Sequence, residues 1–99
     1  DHYGYIFAGL IDVPEDGVYT FATKSDDGSV LYIGNEKVVD NNGSHAAISA
    51  SGRIALKKGL HPYKLVYFED YEGEHLSWEW MTPSGKQMEP VPANILYVK

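Results

Sequence analysis

Residues 3–24 read YGYIFAGLIDVPEDGVYTFATK, and the way this stretch alternates decides the fold class. Tyr3, Tyr5, Phe7, Gly9 and Ile11 fall on one side of a period-two pattern, with Ile6, Ala8 and Leu10 on the other. Period two is the signature of an extended strand, whose successive side chains point to opposite faces. Both sides of this strand are apolar. That implies burial on two faces, or a second face that meets a partner. Pro14-Glu15-Asp16-Gly17 then supplies a fixed φ and a residue tolerant of positive φ, which together make a turn. Val18 to Lys24 alternates again, with Tyr19, Phe21 and Thr23 on one face. Two alternating runs joined by a short turn predict a β-hairpin.

The same grammar continues along the chain. Ser25-Asp26-Asp27-Gly28-Ser29 is a turn, Val30–Ile33 a short strand, and Gly34-Asn35-Glu36 a turn into Lys37-Val38-Val39. Residues 40–52, rich in Asn, Ser, Gly and Ala, read as a long loop with part of a strand at Ala46–Ala50. Arg53–Leu56, His61–Phe68 and Leu76–Trp80 are strands by pattern and by their β-branched and aromatic content. The proline-rich 82–92 is a loop, and Ile95–Val98 is a closing edge strand. No segment carries sustained helical periodicity. The prediction is an all-β, antiparallel β-sandwich of about eight short strands, forming one domain over residues 1–99.

Composition narrows the function classes. With 14 acidic and 8 basic residues the net charge is −6, which disfavours nucleic acid and anionic membrane as partners. No apolar run is long enough for membrane insertion as a helix. The absence of cysteine removes thiolate catalysis, disulfides and cysteine-ligated zinc. His2, His45, His61 and His75 show no metal-ligand spacing, and no nucleophile elbow, phosphate loop or dinucleotide fingerprint occurs. An opening at Asp1-His2-Tyr3, without Met, reads as a fragment excised from a larger multidomain protein.

The sharpest polar feature is Asp26-Asp27. Adjacent carboxylates repel and call for a counterion if buried. Hard oxygen ligands in a turn suit Ca²⁺, and the loop residues Asn41 and Asn42, with nearby carbonyls, could complete its shell. His45 lies in the same loop, where it could face a ligand. The competing reading has Asp26 accepting turn N–H bonds while Asp27 faces water. Trp78 and Trp80 share a strand face; at period two, aromatics are more often core than a stacking platform for sugar.

FAGLIDVPEDGVYTF (7–21), SDDGSVLYIGNEKVVDNNGSH (25–45), GRIALKKGLHPYKLVYFED (52–70), LSWEW (76–80) and PVPANILY (90–97), in this order, resemble the protective-antigen-type domain. The resemblance implies a β-sandwich of the kind found in bacterial toxins, adhesins and glycosidases. In its adhesin-like lectins, two consecutive Asp residues joined by a cis peptide bind Ca²⁺, which then holds sugar hydroxyls. Asp26 and Asp27 match that pair. The resemblance implies Asp26 and Asp27 as metal ligands; with the loop residues Asn41, Asn42 and His45 they make up the candidate ligand-binding set. The expectation is a bacterial, non-catalytic accessory domain of an extracellular, cell-surface or periplasmic glycoside hydrolase. Its partner would be a glycan, bound weakly, or the neighbouring catalytic domain of the same chain. A Ca²⁺-dependent lectin or adhesin domain, or a structural spacer, is the alternative.

Overall fold

A computed structural model describes residues 2–25, 28–41, 48–70 and 77–98. They form nine strands: β1 (His2–Val13), β2 (Gly17–Ser25), β3 (Gly28–Ile33), β4 (Glu36–Asn41), β5 (Ile48–Leu56), β6 (Gly59–Asp70), β7 (Ser77–Met81), β8 (Glu89–Pro90) and β9 (Leu96–Val98). A single 3-10 turn at Ala93–Ile95 precedes β9. One sheet has the order β4-β3-β6-β1-β9 and the other β5-β2-β7-β8. All pairings are antiparallel. The predicted antiparallel sandwich is therefore present. Its strands are less uniform than expected: β1 and β6 each run twelve residues, while β8 has two.

The predicted β1–β2 hairpin is not formed. β1 pairs with β6 and β9, and β2 pairs with β5 and β7, so the intervening link crosses from one sheet to the other. Alternation specifies which residues face inward. It does not say whether two strands lie side by side or face to face across a core. The turn chemistry settles it here. The Glu15 carboxylate accepts from the Ser84 hydroxyl at 2.5 Å, and the Asp16 carboxylate accepts from the Lys58 N–H at 2.7 Å. The Tyr19 hydroxyl donates to the Glu15 carbonyl at 2.7 Å and accepts from the Glu15 N–H at 3.1 Å. The Pro14–Gly17 link is thus tied to its neighbours rather than closed on itself. Gly17, at φ 145°, leaves no room for a side chain, since a Cβ would lie 2.5 Å from Pro83 Cγ.

The hairpin the chain does form is β3–β4. Ile33 pairs with Glu36 around Gly34-Asn35, and Gly34 takes the positive φ (63°) that two-residue hairpin loops favour. Every connection except β3–β4 and β7–β8 passes between the sheets.

The core lies between the inward faces. Ile11 and Val13 from β1 meet Tyr19 and Phe21 from β2, with Leu31 and Ile33 (β3), Val39 (β4), Leu65 (β6) and Trp80 (β7) around them. The Tyr19 and Trp80 rings meet tilted, with centroids 5.4 Å apart, and Phe21 and Trp80 lie at 6.0 Å. Side chains of this size contribute about 2–3 kcal/mol each on full burial. Trp80 is core, as its spacing suggested. The other face of β1 has no cover among the described residues: Ile6 is 64% exposed, and Tyr97 and Leu60, paired with Leu10 and Asp12 further along the strand, are exposed too.

Candidate binding site

At one end of the sandwich Ser25 pairs with Ile48, Ser29 with Asn41, Gly28 with Phe68, and Lys24 with Ser77. Strands β2, β4 and β6 therefore stop, and β3, β5 and β7 begin, at this end. Asp26, Asp27, Asn42 and His45 lie outside the described residues. Asn41 closes β4 opposite Ser29 of β3. The Ser29 hydroxyl donates to Thr23 Oγ1 at 2.9 Å, and both residues are buried. This contact ties β2 to β3 across the two sheets. Among the described residues no group of three His, Asp or Glu side chains is placed to hold a metal ion.

The cavity lies on a long side of the sandwich. Phe7 (β1), Tyr63 and Leu65 (β6), Trp78 (β7) and Leu96 (β9) line a groove of about 280 Å³ between the sheets. Strand alternation brings them together. In HPYKLVYF the odd positions Tyr63 and Leu65 face inward, and in SWEWM so do Trp78 and Trp80. Tyr63 and Trp78 lie 5.4 Å apart with rings inclined by 30°, and Trp78 in turn packs on Phe21 at 6.3 Å. The groove lies next to two short pairings. β9 pairs with β1 over Gly9–Ile11, and β8 pairs with β7 over Glu79–Trp80. Phe7 faces inward yet stays 48% exposed.

Sequence reasoning foresaw that β1 has two apolar faces but not this groove. Its walls come from strands far apart in the chain, and no local pattern marks where β9 stops. The lining offers apolar contact and aromatic faces. Among the described residues no acid–base pair or nucleophile stands in it. Elsewhere polar groups do structural work. His61 Nε2 lies 2.6 Å from the Lys57 carbonyl across the β5–β6 turn. Lys64 Nζ sits 4.8 Å from the Tyr32 ring centre.

The profile of the PA14 domain matches residues 1–94. Anti-sigma-I factor RsgI3 of Acetivibrio thermocellus is 28% identical over 98 residues, which is 98% of this chain and 15% of that protein. A solved anti-sigma factor domain-containing protein from Clostridium clariflavum superimposes with a TM-score of 0.87 at 28% identity, covering 98% of this chain and 33% of that one. A beta-hexosaminidase of Porphyromonas gingivalis is 36% identical over 66 residues, or 66% of this chain and 8% of the enzyme. The chain thus spans a small part of the curated relatives it matches.

These matches correct the expected role. At 28% identity along essentially the whole chain the similarity is to anti-sigma factors, so the accessory-domain assignment to a glycoside hydrolase does not stand. Nor do the glycan and the neighbouring catalytic domain as partners. The physical reason is plain. The SDDGS turn and the alternating strands encode the sandwich, and a sandwich carries no record of the protein it serves. The chain is a non-catalytic module, as its whole-length matches indicate. The same matches agree with the extracellular, cell-surface or periplasmic placement expected from the sequence. No helix among the described residues is long and apolar enough to cross a membrane.

Proposed function

The chain belongs to the PA14 domain family, and from that premise we propose that it is the sensory, ligand-binding module of an anti-sigma-factor-type signalling protein. The observation that carries this reading is the whole-length correspondence, at 28% identity, with RsgI3 and with the solved Clostridium clariflavum protein. The architecture supports it. A closed aromatic core gives a rigid body, and functional surface is left to loops and to one open side. On this reading the chain is one piece of a longer protein that restrains a sigma factor. The PA14 module stands outside the cell, and its occupancy sets whether the sigma factor is released.

A domain exchange tests it. In RsgI3, the matched segment is replaced by residues 1–99, and a promoter dependent on the cognate sigma factor is read across a set of growth substrates. The chimera is expected to keep the reporter silent at rest and release it on at least one substrate. A reporter that behaves on every substrate as it does when the segment is deleted overturns the proposal.

A further inference from the structure

We draw no further inference here: the strongest candidate, the apolar groove that Phe7, Tyr63, Leu65, Trp78 and Leu96 line between the sheets, carries none because nothing in the structure shows what covers it.

Discussion

The two long sides of the sandwich solve the same problem in opposite ways. On the β4/β5 side the sheets close on each other. Gly52, opposite Phe21 on the inward face of β5, lets the Val38 carbonyl come so near that a Cβ would overlap it. On the β9/β8 side the sheets stay apart, and the gap is the groove lined by Phe7, Tyr63, Trp78 and Leu96. Backbone contact closes a sandwich more tightly than side chains can, but it needs a glycine. Where no such contact forms, apolar side chains such as Phe7 line a gap between the sheets instead.

Four substitutions probe that contrast, and the largest effect belongs to the shared core. Phe21 is fully buried between Tyr19, Trp78 and Trp80. Phe21→Ala should cost about 4 kcal/mol in chemical denaturation, much of the stability of a domain this size. Phe7→Ala removes the same side chain from the open side, where it is already 48% exposed, and should cost less than about 1 kcal/mol. Equal losses at the two positions would mean that the open side is as closely packed as the core.

A matched glycine pair sharpens the comparison. Gly9 also lies so close to a carbonyl, that of Tyr97, that a Cβ would overlap it. Gly52→Ala forces apart two sheets held on both flanks and should cost about 3 kcal/mol. Gly9→Ala pushes only on β9, a three-residue strand that can lift away, and should cost about 1 kcal/mol. Amide exchange would distinguish the two. The Gly9 variant should lose protection at Leu96–Val98 alone, and the Gly52 variant across both sheets.

Much of the fold was legible because inward and outward faces are written in period two. Tyr19 and Phe21 share one strand face by spacing and Trp80 read as core, and all three are buried together. What alternation could not carry was connectivity. VPEDGV reads as a hairpin turn until Glu15 and Asp16 are seen bonded to Ser84 and Lys58, 69 and 42 positions away. The groove was hidden for the same reason: Phe7 and Leu96 come from opposite ends of the chain. Asp26, Asp27, Asn42 and His45, the sequence's sharpest polar signal, lie outside the described residues. Of that set only the strand position of Asn41 can be compared with its expected place.

The last expected effect is also small; it concerns the crossing that ties the two sheets together, and it has a pH signature. Burial raises the Tyr19 phenol above its ordinary value of 10.0. The hydrogen bond with the Glu15 backbone works the other way, while the nearby charges of Glu15 and Asp16 add to the rise. The folded state therefore holds this proton more firmly than the unfolded chain does. The stability it contributes is fully present below pH 10 and is lost as pH rises through the folded-state value. Tyr19→Phe keeps the ring in the core and removes the hydroxyl that holds the Glu15 backbone. Near neutral pH it should cost about 1 kcal/mol, or roughly 4–8 °C in Tm. Above pH 10 the wild type must ionise or unfold while the Phe variant has nothing to titrate at that position, so the gap between them should narrow. A gap that stays constant through the alkaline range would show that Tyr19 titrates as it does in the unfolded chain, and that the crossing is held by the carboxylates of Glu15 and Asp16 instead.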